Sequence, residues 1–371
     1  MKKRFYFGAV VLLSLLFSTS LFISCSSSDD DTSPSNTLSL IANKTTILIN
    51  EEVSFTVKGD DKNIEDASLY INNQIVEGLK HSFETTGEYK VVAKKEGYAD
   101  SNIITIQVNE EHGTEGENNE VDEDYVPTGD EAYVHKVVVE DFTGTWCVWC
   151  PRVAYSIEKA VEEFGKKIVP IAIHRGNIDP SAWNYDPFNF NGSGSLENKL
   201  GVTGYPAVFI NRIKSWKYPE DKNTSDPGKY LNNKTSIGIK ISSELSQNSG
   251  TVSLDIAFSE TFNEELKYII YILEDNLIYD QDNATEHYGG ADVIKDFVFN
   301  DVVRTSTDIL GSPLSNTTKG NIFKLENTKF NYESKNAANL KIAVLIVNKD
   351  GYVLNAQVAK ANTVKNYVIA K

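Results

Sequence analysis

The chain has 371 residues, with 36 Lys and Arg against 52 Asp and Glu and a formal net charge of -16. Hydrophobic residues make up 40% and aromatics 11%, enough for packed cores, and the length predicts two or three domains. The acidic balance argues against a nucleic-acid partner, which needs basic surface, and three cysteines exclude a dense disulfide scaffold while leaving one unpaired.

At the N-terminus, the basic Met1-Lys2-Lys3-Arg4 precedes a mostly apolar stretch from Phe5 to Ile23, then Ser24-Cys25. Charge followed by apolar residues is the order of a secretory signal, yet no small-x-small cleavage site ends it. An uncleaved anchor is the competing reading, since about 19 apolar residues nearly span a bilayer. The ending Phe22-Ile23-Ser24-Cys25 resembles the lipobox of bacterial lipoproteins. That resemblance implies a signal peptide over 1–24, cleavage before Cys25, and lipid on its thiol and new amino group. Several acyl chains, at about 0.8 kcal/mol per buried methylene, make a stable membrane anchor. Residues 25–37 form a Ser/Asp-rich tether. Its Ser26-Ser27-Ser28-Asp29-Asp30-Asp31 is similar to export signals of surface lipoproteins in Bacteroidetes-type bacteria. This predicts an outer-membrane address, at the cell surface or facing the periplasm.

Residues 38–108 read as short alternating strands, for example Val53-Ser54-Phe55-Thr56-Val57. They resemble bacterial immunoglobulin-like or PKD-like spacer sandwiches. Residues 109–131 carry ten acids and no Lys or Arg, an acidic linker that repels itself into an extended form.

From His135 the texture changes. Val137-Val138-Val139 is a buried-strand run. After Cys150, residues Val153, Ile157, Ala160, Val161 and Phe164 fall on one helical stripe, which Gly165 ends. Ile168 to Ile173 is a second apolar strand, so the segment predicts a βαβ unit with a parallel pair. After residue 236, alternation returns in Ile237/Ile239/Ile241 and Val252/Leu254/Ile256/Phe258, and Lys349-Asp350-Gly351 signals a hairpin.

The chemistry concentrates in Asp141-Phe142-Thr143-Gly144-Thr145-Trp146-Cys147-Val148-Trp149-Cys150-Pro151. A CxxC between strand and helix places its thiols at a helix N-terminus, where unpaired N–H groups stabilise a thiolate. Pro151 suits the first turn. A zinc site would want two further ligands, and His81, His112, His135, His174 and His287 stand singly. His174 reads as a structural histidine before it reads as a site residue. A purely structural disulfide between Cys147 and Cys150 remains an open alternative.

This segment resembles the thioredoxin superfamily. Trp146 precedes the first cysteine, and Asp141 stands six residues before it, where the family places a buried acid serving the resolving thiol. Val202-Thr203-Gly204-Tyr205-Pro206-Ala207-Val208 looks like the cis-proline loop of the TlpA/ResA-like branch. The resemblance implies Cys147 as nucleophile, Cys150 as resolving thiol, Asp141 as proton carrier, and Trp146, Tyr205 and Pro206 beside an extended peptide. Val148-Trp149 replaces the family's Gly-Pro, so its redox poise does not transfer. About thirty residues between Ile173 and Val202 form an aromatic insertion, which reads as a site cap, a partner-binding segment or a packed surface loop. A closer resemblance, over roughly 132–361, is to Omp28-related outer-membrane proteins, through Val139-Glu140-Asp141-Phe142-Thr143-Gly144, Cys-x-x-Cys-Pro and Val353-Leu354-Asn355-Ala356-Gln357.

The expected architecture is multidomain: an N-terminal Ig-like β-sandwich, a central α/β thioredoxin-like domain (132–235) and a C-terminal β-rich domain (236–371). The expected function is thiol-disulfide exchange on a protein or peptide thiol/disulfide partner, with no metal and no cofactor. The alternative is a non-catalytic surface adhesin or binding lipoprotein.

Overall fold

The computed structural model describes residues 37–48, 51–60, 62–85, 87–109, 121–122 and 124–371. The expected signal peptide over 1–24, the expected lipid site Cys25 and most of the acidic linker lie outside the described residues.

Alternation along Glu52–Gly59 buries Val53, Phe55, Val57 and Gly59 and turns Ser54, Thr56 and Lys58 outward. This is what a two-residue side-chain period requires of a strand with one covered face. A five-stranded sheet, ordered Thr46–Leu48, Ile104–Asn109, Gly87–Lys94, Ser68–Ile71, Gln74–Val76, supplies the opposing layer. Leu40, Val53, Phe55, Leu69, Val91 and Ile106 share the single core between the two sheets, so this region is a β-sandwich.

The rest of the chain is built on one nine-stranded mixed sheet. Its order is Lys214–Ser215, Ala207–Ile210, Val137–Thr143, Ile168–His174, Val302–Ser306, Lys267–Glu274, Leu340–Val347, Val353–Lys360, with Ser312–Pro313 also pairing to Lys267–Glu274. Val137–Thr143 and Ile168–His174 run parallel, joined by the helix Cys150–Phe164, as the βαβ pattern predicts. Ala172 pairs in parallel with Val302, which carries the sheet across residues 235–236. Strands from both sides of that expected boundary are therefore hydrogen-bonded neighbours.

Every residue of Val137–Thr143 is buried, because both faces of the sheet are covered. Val137 and Val139 pack with Val153 and Ala160 of the helix, whereas Val138 and Phe142 pack with Tyr271 and Leu345 on the other face. The helix ends at Gly165, whose φ of 58° is a conformation glycine adopts without a Cβ clash.

A second sheet, Ile322–Asn331, Ser249–Phe258, Ile237–Leu245, Val364–Lys365, covers the C-terminal strands. The alternating Ile239, Ile241, Leu254 and Ile256 meet Ile270, Ile272, Val344 and Ile346 in one core. The turn at 349–351 joins antiparallel strands Leu340–Val347 and Val353–Lys360.

Candidate functional site

Cys147 and Cys150 form a disulfide. They lie in the loop between strand Val137–Thr143 and helix Cys150–Phe164, so the pair sits where the helix starts, with Pro151 in its first turn. The Cys147 and Cys150 amides donate to the carbonyls of Gly144 and Cys147, each at 3.0 Å, which folds the loop tightly. The indole N–H of Trp146 donates to the Arg175 carbonyl at 2.8 Å. A Cβ on Gly144 would lie 2.7 Å from both that carbonyl oxygen and the indole nitrogen, which is why glycine stands there. Both cysteines are only 3% exposed, while Trp149 between them is 51% exposed.

Strand alternation puts Asp141 on the helix face, in phase with Val137 and Val139. Its carboxylate is buried and Oδ1 has no hydrogen-bond partner. Burial, reinforced by the nearby Glu220 carboxylate, pushes its pKa up to about 8. Glu220 is tied to the same helix through a 2.7 Å ion pair with Arg152.

The Tyr205–Pro206 bond is cis. Strand Ala207–Ile210 pairs antiparallel to Val137–Thr143, with Ala207 opposite Phe142, so Pro206 lies beside the strand end from which the CxxC loop departs. The Tyr205 ring meets Trp146 edge-on with centroids 5.7 Å apart. Its hydroxyl contacts Glu197 Oε1 at 3.4 Å, and Glu197 is paired with Arg175 at 2.8 Å. Trp146, Cys147, Cys150, Tyr205 and Pro206 thus gather at one end of the central strand, with Asp141 in that strand on the side of the helix.

Two segments with no motif of their own complete this region. The first is the aromatic insertion. Asp186 accepts hydrogen bonds from the Thr145 amide and the Phe188 amide at 2.9 and 2.8 Å, and it pairs with His174 Nδ1 at 2.9 Å. His174 is fully buried, edge-on to Phe188 and Phe299. Trp183 stands 81% exposed yet meets the Trp146 ring at 5.2 Å. The insertion is therefore joined to the CxxC loop by both polar and aromatic contacts.

The second is the strand Leu277–Asp282 and the residues after it. The Asp282 and Ala284 amides donate to the carbonyls of Thr145 and Val148 at 2.9 and 2.7 Å. The Gln281 side-chain amide donates to the Cys147 carbonyl at 3.1 Å. Further along, His287 stacks on Tyr155 of the helix at 4.2 Å, and the Tyr288 hydroxyl donates to Glu158 at 2.8 Å. The segment straps the loop and the helix together. Replacing Gln281 by Ala is expected to speed reduction of the disulfide by dithiothreitol about tenfold, the effect of losing one buried hydrogen bond to the loop. Thiol release followed in time measures it, and an unchanged rate would mean that access to the sulfurs does not pass through this strap.

Among the described residues, no group of three or more His, Cys, Asp or Glu is placed to hold a metal ion. Asp186, Glu220 and Gln281 carry no local signal in the sequence, because their bonds to Thr145, Arg152 and Cys147 span 41, 68 and 134 residues.

The family model described as "Outer membrane protein Omp28" matches residues 193–365. That span contains Tyr205, Pro206 and Gln281 and begins after the disulfide. Two similar solved structures are HBP35 of Porphyromonas gingivalis and a protein from Agrobacterium tumefaciens. The first is 15% identical, covers 63% of this chain and 77% of its own, and has a TM-score of 0.49. The second is 15% identical, covers 62% and 96%, and has a TM-score of 0.38. No curated protein matches the chain.

Proposed function

We propose that this chain is an outer-membrane protein held by lipid on Cys25, whose central α/β unit is thioredoxin-like and exchanges thiols and disulfides with protein or peptide partners of the cell envelope. The observation that carries the reading is Asp141. A carboxyl buried on the face of the helix that starts at the disulfide, with a pKa of about 8, is suited to exchanging a proton with a thiol near neutral pH.

In the reducing direction, the Cys147 thiolate attacks a substrate disulfide, forming a mixed disulfide and releasing one substrate thiolate. The Asp141 carboxylate takes the proton from the Cys150 thiol. Cys150 sulfur then attacks Cys147 and displaces the second substrate thiolate. The substrate gains two electrons, the protein is left with the Cys147–Cys150 disulfide, and an envelope dithiol restores the reduced form. Trp146, Tyr205 and Pro206 position the peptide. Reduced Cys150→Ser protein is expected to trap a partner, or glutathione disulfide as a small probe, as a stable mixed disulfide on Cys147, seen as an adduct mass. Absence of both adducts sinks the enzyme reading.

A second reading is favoured by one observation: both cysteines are 3% exposed while Ile178, Trp183 and Trp149 protrude. In that reading the disulfide is a clip and the exposed apolar residues bind a surface partner. It requires partner binding to survive replacement of both Cys147 and Cys150 by Ala in protein that still folds.

A further inference from the structure

A polar cavity of about 520 Å³ lies beside strand Val302–Ser306 and away from the disulfide, lined by Pro187, Asn248, Arg304, Tyr332, Glu333, Ser334 and Lys335. Arg304 lies in strand Val302–Ser306, and its side chain is only 10% exposed. Its Nε is committed: it donates to the Glu333 carbonyl at 2.8 Å and lies 3.3 Å from Glu274 Oε2. Glu274 is itself fully buried and fixed, because its Oε1 accepts from the Lys335 and Asn336 amides, both at 2.7 Å. The two terminal nitrogens of Arg304 make no hydrogen bond to the described residues. A nearly buried guanidinium, held from behind and left with an open donor edge on a cavity wall, is a built binding fork.

Lys335 and Asn248 extend this donor character, while Glu333 on the same wall opposes it. The Asn248 side-chain amide and the Lys335 ammonium have no partner among the described residues, whereas the Tyr332 hydroxyl is spent on the Ser246 and Ser249 carbonyls and the Ser334 hydroxyl on the Gln247 carbonyl. Burial lowers the Arg304 pKa, and the Glu274, Glu333 and Asp186 carboxylates only partly offset it. Because Glu274 and Glu333 already oppose the two cations Arg304 and Lys335, a ligand with the single charge of one carboxylate is tolerated better than a phosphate with two.

We propose that this cavity is a binding site for a ligand bearing a single carboxylate, received edge-on by Arg304 and flanked by Lys335 and Asn248. The carboxylate is planar and matches the two parallel donors of the guanidinium fork. Its source is a peptide C-terminus or an acidic sugar, two carriers of the same group. The proposal is independent of the redox reading, since no cysteine takes part in it.

The test titrates the full chain with acetate, N-acetyl-alanyl-alanine, the amide of that peptide, glucuronate, glucose and inorganic phosphate, read by calorimetry. Saturable binding of acetate is expected in the millimolar range, with tighter binding of whichever larger carboxylate fits the cavity. The peptide amide, glucose and phosphate are expected not to bind. Preference for the peptide acid assigns a chain terminus, and preference for glucuronate assigns an acidic sugar. Arg304→Gln should abolish binding. Because that change also strips Glu274 of its cation and endangers folding, Lys335→Ala and Asn248→Ala serve as rim variants. Each should weaken the carboxylate by about tenfold, the loss of one hydrogen bond to a charged group. No saturable carboxylate binding by folded protein overturns the proposal, as does equal binding of the amide or phosphate, or unchanged affinity in both rim variants.

Discussion

Glu140→Ala is expected to lower the stability of residues 132–371 by about 3–5 kcal/mol, the range for stripping one partner from a buried ion pair. Glu140 and Arg212 have side chains 0% and 1% exposed. The guanidinium is bidentate, with Nε at 2.7 Å and Nη2 at 2.6 Å from the two carboxylate oxygens. Nη2 also donates to the Tyr271 hydroxyl at 2.9 Å, and Nη1 to the Ile309 carbonyl at 2.9 Å. Tyr271 in turn donates to Glu140 at 2.9 Å, so every polar group in the cluster is satisfied. Arg212 has a φ of 58°, uncommon for a residue with a Cβ, and this network holds it there. Because Glu140 belongs to strand Val137–Thr143 and Tyr271 to Lys267–Glu274, the cluster joins the two halves of the nine-stranded sheet. Urea unfolding should show the loss as one transition by tryptophan fluorescence and by far-UV circular dichroism. Removing both charges together, as Glu140→Leu with Arg212→Met, should recover much of it, since an apolar pair leaves no uncompensated charge. A loss below about 1 kcal/mol in Glu140→Ala would show that the cluster does not bear on stability.

The neighbouring acid behaves oppositely. Asp141→Asn is expected to stabilise the protein at pH 8.5, by up to about 5 kcal/mol, and to change little at pH 4. In the folded protein its pKa is raised from 3.8 to about 8, with burial as the main cause and Glu220 adding to it. Between these values the unfolded chain has released the proton while the folded chain retains it. The unfolded state then binds fewer protons, so this group makes stability fall as pH rises from about 4 to about 8 and adds no further slope above that. Asparagine has no such proton and removes the slope. Paired urea titrations of both proteins at the two pH values measure it. An equal difference at pH 4 and pH 8.5 would show that Asp141 is not a buried titrating acid. Such a costly group is a marker of chemistry more than of stability, which is why the proposed exchange reaction is centred on it.

Glu140 and Asp141 are adjacent in sequence and identical in charge, and nothing in the motif separates them. Strand geometry does. Successive side chains point to opposite faces, so Asp141 goes to the helix side with no hydrogen bond at Oδ1, while Glu140 goes to the side where Arg212 and Tyr271 meet it. The motif drew attention to Asp141 and passed over Glu140, whose partners stand 72 and 131 residues away. The same limit applies around the disulfide. The helix after Cys150 was legible because its apolar stripe repeats within fifteen residues. Asp186 and Gln281 were not, because their bonds to Thr145 and Cys147 cross 41 and 134 residues. The insertion likewise had three readings from sequence alone. Trp183 on Trp146 and Asp186 on the Thr145 amide join it to the site.

The sequence by itself determined what short-range patterning can carry. That covers the alternation of the N-terminal sandwich, the strand–helix–strand run around Cys147 and Cys150, the helix stop at Gly165 and the hairpin at 349–351. Each follows from local backbone preference and from which face of an element is apolar. The tertiary structure alone decided that strands on both sides of residue 235 share one sheet, that Gln281 straps the CxxC loop, and that Arg304 opens onto a polar cavity. Those outcomes depend on which distant segments pack together. Hydrophobic burial drives that packing without direction, and hydrogen bonds and ion pairs specify it only once the chain has closed.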